Sequence, residues 1–116
     1  MLTIKITDFS KEAATQTKGI ELRGKIEPLI LSEVPFTVDF SGISRFASPF
    51  FNNSFASLAL IYGFDAISQI PITNLSETGH MTYSTSMENA QLLLNNPDFI
   101  EKINSIINNN LPKKDE

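Results

Sequence analysis

The stretch TVDFSGISRFASPFFNNSF, Thr37 to Phe55, carries the transition on which the fold turns. Phe36, Val38 and Phe40 alternate with Thr37 and Asp39, the period-two pattern of a strand with one buried face. Gly42 allows the chain to turn. Ser48-Pro49 then reads as a helix start, because a serine at the N-cap accepts an orphan N–H and proline lacks one at the first helical position. Phe51, Phe55, Leu58 and Tyr62 follow at helical spacing, and Gly63 suits the position just past a helix end. The expectation is a strand over 35–40, a loop, and one very apolar helix over about 49–62.

Upstream, Leu2-Thr-Ile-Lys-Ile6 alternates in the same way and predicts a first strand. From Thr17 or Lys18 to Ile30, the residues Ile20, Leu22, Ile26, Leu29 and Ile30 predict a helix. Gly19 and Gly24 each cost that helix about 1 kcal/mol if interior, and Pro28 removes one of its N–H donors. Downstream, Ile67, Ile70 and Ile72 predict a third strand within 66–74, with Pro71 at a strand start or an edge. Residues 75–83 are ambiguous. A helix over 85–94 and a last one from Pro97 to about Asn109 complete the chain, with a mobile tail at 112–116. The order β-α-β-α-β-α-α predicts a single α/β domain over 1–111. Its sheet is small and mostly parallel or mixed, with helices mainly on one face.

Composition excludes several classes of function. The chain has 116 residues, 41% of them apolar, and no cysteine, so it has no disulfide, thiolate metal site or cysteine nucleophile. Its formal charge of −4 and the lack of a basic patch argue against nucleic acid. The first residues lack a basic segment followed by a long apolar run, and no stretch is long enough to span a membrane. A cytoplasmic protein without membrane contact is the expectation. No cofactor or metal is expected. His80 and Glu77 alone fall short of the three or four ligands a metal needs, and Asp39, Glu77 and His80 share no element that would bring them together as catalytic groups.

Two segments together point to a family. Val38-Asp39-Phe40-Ser41-Gly42-Ile43, then Ala47-Ser48-Pro49 and Phe50-Phe51-Asn52-Asn53-Ser54-Phe55, resemble the STAS-like family of unknown function. That family is related in pattern to the anti-sigma factor antagonist (STAS) domains. Gly19-Ile-Glu-Leu-Arg23-Gly-Lys-Ile-Glu-Pro28 is similar to its first helix, with a Gly-x-x-x-Arg core. The likeness spans roughly residues 17–74.

The resemblance implies a bacterial-type regulatory module without enzymatic activity, docking a protein partner through the loop and helix start around Ser48. The partner it suggests is an ATPase or kinase-type regulator. In the antagonists an Asp-Ser pair precedes this helix and the serine is phosphorylated. Ser48 falls at that position, and Ala47 stands where the aspartate would be. Candidate partner- or ligand-binding residues are therefore Arg23, Asp39, Arg45, Ser48, Asn52 and Asn53. The competing readings are a phosphorylatable switch at Ser48 and a nucleotide or other anion at the helix start near Arg23, Arg45 and Ser48. Asp39 could instead orient the loop through backbone N–H groups around Gly42 to Arg45, or pair with Arg23 or Arg45. Asn52 and Asn53 could act as secondary caps. Self-association through a sheet edge or the phenylalanine-rich helix is a further expectation.

Overall fold

A computed structural model describes residues 2–95 of the chain. The expected helix from Pro97 to about Asn109 and the expected tail lie outside those residues. The elements are β1 (Leu2–Lys5), α1 (Gln16–Leu31), β2 (Phe36–Asp39), α2 (Ser48–Asn52), α3 (Phe55–Tyr62), α4 (Phe64–Ser68), β3 (Ile72–Thr73) and α5 (Glu77–Leu94). A 3-10 turn at Ile6–Asp8 closes β1.

The three strands form a parallel sheet in the order β1-β2-β3. Ile4, Val38 and Ile72 lie in register, as do Lys5, Asp39 and Thr73. The alternation along β2 works as its sequence implies. Phe36, Val38 and Phe40 are buried with Leu22 and Ile26 of α1 and with the aromatic residues of α2 and α3. Thr37 and Asp39 are only partly covered. The proline that marked an edge does sit there: Pro71 precedes β3, and its carbonyl accepts the Val38 N–H at 3.0 Å.

Helix α1 starts at a Thr15 cap, whose hydroxyl accepts the Lys18 N–H. It passes through Pro28 to Leu31. Its buried stripe is Gly19, Leu22, Arg23 and Ile26. At Gly19 an added Cβ would run into the Phe50 carbonyl oxygen and come within 3.1 Å of the Asn53 Cβ. Glycine is what lets α1 lie directly on α2. At Gly24, five residues on, an added Cβ would meet nothing.

The expected helix over 49–62 is in fact two. It breaks at Asn53 and Ser54 because short polar side chains take the backbone bonds that would continue it. Asn53 Nδ2 donates to the Pro49 carbonyl at 2.7 Å, and Ser54 Oγ to the Phe50 carbonyl at 2.8 Å. Ser57 Oγ donates to the Asn52 carbonyl at 2.7 Å. The break turns Phe50, Phe51 and Phe55 all inward, each fully buried. Phe51 sits at the centre of an aromatic cluster, 5.2 Å from Phe50, 5.9 Å from Phe40 and 5.8 Å from Tyr83 between ring centroids.

The strand expected over 66–74 is shorter than its apolar residues implied, because its first part, through Ser68, is the end of a helix. Gly63, at φ 105°, ends α3 and lets the chain begin α4, whose Ile67 is buried. Only Ile72 and Thr73 pair with β2. Helix α5 begins earlier than its apolar spacing implied, at a Ser76 cap that accepts the Gly79 N–H at 3.2 Å. Gly79 is buried there beneath Leu75 and Phe46.

Candidate functional site

The carboxyl ends of the strands, where open α/β sheets place their sites, carry Asp39, the loop from Phe40 to Ala47, and α2. That loop is pinned. Gly42 turns it with φ 83°, and Ile43 bonds back to the Phe40 carbonyl at 3.0 Å. Phe46 forms a parallel bridge with Ala13. Through it the Ala13 N–H donates to the Arg45 carbonyl and the Ala47 N–H to the Ala13 carbonyl, each at 3.0 Å.

This bridge also moves the helix start. Ala47 is held extended, at φ −150° and ψ 154°, so it takes the N-cap position, and Ser48 becomes the first helical residue. Ser48 is therefore not the cap that serine before proline implied. Its side chain is exposed and makes no hydrogen bond among the described residues. Arg45 is also exposed, with its guanidinium 3.7 Å from Glu12.

The platform beneath Ser48 is fixed on three sides. Gly19 of α1 backs onto Phe50. The Ala13 bridge holds the loop. From α5, the buried Ser86 donates its hydroxyl to Asn52 Oδ1. The two asparagines thus close the far end of α2 rather than capping its start. Asn52 joins it to α5, and Asn53 bonds back within it.

Asp39 holds only the start of the loop, at Ser41, and ties it to the end of β3. Its Oδ1 accepts from Asn74 Nδ2 at 2.8 Å, from the Ser41 N–H at 3.0 Å, from the Ser41 hydroxyl at 2.8 Å, and from the Thr73 hydroxyl at 3.3 Å. It meets neither residues 42–45 nor the two arginines. The carboxylate ties the end of β2 to the end of β3, with Asn74 in the left-handed region at φ 58°. These donors, Asn74 first and then Ser41, hold its pKa down at about 2.

Arg23 stands apart from this surface. It is 6% exposed, on the inward stripe of α1. Burial lowers its pKa, while the charges of Glu27 and Tyr62 raise it. Tyr62 of α3 donates its hydroxyl to Glu27 Oε2 at 2.6 Å. Arg23 therefore belongs to a link between α1 and α3, a role that no apolar periodicity signals. His80 is exposed in the first turn of α5. No group of His, Asp and Glu among the described residues could hold a metal ion. No described helix is long and apolar enough to cross a membrane.

The pinned loop, the short helix after it and the glycine-to-arginine spacing on α1 all fall within residues 18–80. That interval, more than half the chain, matches the family model described as a STAS-like domain of unknown function. The chain belongs to that family. No curated protein and no solved structure matches it.

Proposed function

We propose that this chain is a non-enzymatic regulatory module that docks a protein partner through residues 42–48 and the start of α2. The observation that carries this reading is the state of Ser48: an exposed hydroxyl with no intramolecular bond, at the head of a helix braced by α1, α5 and the Ala13 bridge. A braced surface loses little conformational entropy on binding. Exposed Ser44 and Arg45 extend it. Arg23, being buried, contributes to the platform rather than to the contact. The resemblance to the antagonists suggests an ATPase or kinase-type regulator as partner, acting in the cytoplasm. Asp39 serves by holding the strand ends from which the loop departs.

A photo-crosslinking residue at Ser48, compared with one at the exposed Gln69, tests the surface in the native host. The expected result is a discrete adduct from position 48, removed by Arg45→Glu. Equal labelling from both positions would sink the proposal.

The exposed hydroxyl also favours the switch reading over the anion-site reading. A phosphate on Ser48 would displace no internal hydrogen bond, whereas α2, at five residues, offers only a short helix dipole to a free anion. Ser48→Ala and Ser48→Asp separate the two roles of the serine. Opposite effects on the crosslinked partner support a switch, and equal effects support plain docking.

A further inference from the structure

Among the described residues, strand β1 lies at the edge of the sheet, with β2 as its only strand neighbour. Its outer side therefore presents main-chain N–H and C=O groups to whatever lies beyond. Leu2 and Ile4 share a face with their register partners Phe36 and Val38, which are buried. Yet Leu2 is 50% exposed. The apolar face of the sheet runs on past the point where the described helices cover it.

Beside this edge is a groove of about 370 Å³ between β1 and α1. Leu2, Ile4, Phe9 and Leu29 supply its apolar wall, and Gly24 leaves it open on the helix side. The fold does not account for Gly24. It sits in a helix interior, its φ is not positive, and an added side chain would meet no atom within 4 Å. Glycine there costs about 1 kcal/mol relative to alanine. The same residue does keep the groove unobstructed.

Charge narrows the choice of occupant. Lys5 and Lys25 line the groove against the single carboxylate of Asp8. Neither lysine forms an ion pair among the described residues. Lys25 instead rests its ammonium 5.0 Å above the Phe9 ring. The groove is thus locally positive in a chain of formal charge −4. Two copies meeting edge to edge would set these lysines near their equivalents, which disfavours a second copy. An extended segment with acidic side chains satisfies the edge, the apolar wall and the lysines together.

We propose that the β1 edge and the groove between β1 and α1 form a docking site for an extended acidic peptide segment, which joins the sheet as an additional strand. Apolar side chains of that segment would enter the groove past Gly24, and its carboxylates would reach Lys5 and Lys25. This site is separate from the Ser48 surface and stands without it.

The probe is a short capped peptide alternating valine and glutamate, with the valine–lysine peptide as its counterpart. Each is added to the full chain and followed by amide shifts and hydrogen exchange. The expected result, with the glutamate peptide alone, is shifted amides along β1 and new protection at Thr3 and Lys5, whose N–H groups face away from β2. Gly24→Gln, which fills the groove without adding charge, should weaken that binding about tenfold or more without lowering thermal stability, since its side chain enters open space. Several results would overturn the proposal. One is an absence of change at β1. Another is an equal response to both peptides, or a response unchanged by Gly24→Gln. A third is protection of the outward amides of Thr3 and Lys5 in the chain alone: concentration-dependent protection would mean a second copy on the edge, and concentration-independent protection would mean coverage by the chain's own residues.

Discussion

Gly19 and Gly24 lie on the same helix and carry the same intrinsic penalty, yet their surroundings are opposite. Gly19 faces inward, where the backbone of α2 occupies the space a side chain would need. Gly24 faces outward over a groove that nothing described fills. The difference shows that the two sides of α1 do different work. One side is matched to atoms already present and sets where α2, and with it Ser48, can sit. The other is shaped around an absence.

Substitution should separate them sharply. Gly19→Val pushes branched carbons into the Phe50 carbonyl, a backbone group that can move only with α2. Overpacking of this kind should lower unfolding free energy by about 3 kcal/mol in urea titrations. A neutral result would mean that α1 and α2 are not in such close contact. Gly24→Ala should act with the opposite sign, raising stability by up to about 1 kcal/mol through helix propensity and reduced freedom of the unfolded chain. A loss of stability at that position would show that the glycine serves the fold after all.

The smallest effect is expected away from α1 and should leave that contrast intact. The folded contacts of Asp39 favour its carboxylate, with a pKa of about 2. Its contribution is therefore present above the unfolded value of about 4 and is lost as pH falls through the folded value. A carbon-detected NMR titration should place its midpoint near the lower figure. Asn74→Gly, which keeps the left-handed backbone but removes the principal donor, should move the midpoint up. An Asp39 that titrates as an ordinary carboxyl would remove the strand-end tie.

Much of the scaffold was legible because alternation and helical spacing are local signals. The alternation in Phe36–Phe40 and Leu2–Ile6, the stripe around Leu22 and Ile26, and the family likeness around Ser48 all rest on neighbouring residues. The misreadings came where a distant partner decided the matter. Ser48 reads as a cap until Ala13, far upstream, holds Ala47 extended. Asn52 reads as an oddity of a helix start until Ser86 claims it from α5. One misreading is local instead: Ile67 has the look of a strand residue until Gly63, just before it, restarts a helix. No phenylalanine among the described residues is exposed, and the exposed large apolar side chains are aliphatic ones such as Leu2, Leu31 and Leu92.

The tie at Asp39 has a consequence for how the chain reaches its fold. Its partners Thr73 and Asn74 lie 34 and 35 residues away, across the whole excursion through α2, α3 and α4. Contacts of that span are made only after the entropy of closing the intervening chain has been overcome. The carboxylate therefore acts as a latch on the finished sheet, opposing the separation of β2 from β3 more than it guides them together. Its natural measure is the lifetime of the folded state rather than the speed of folding.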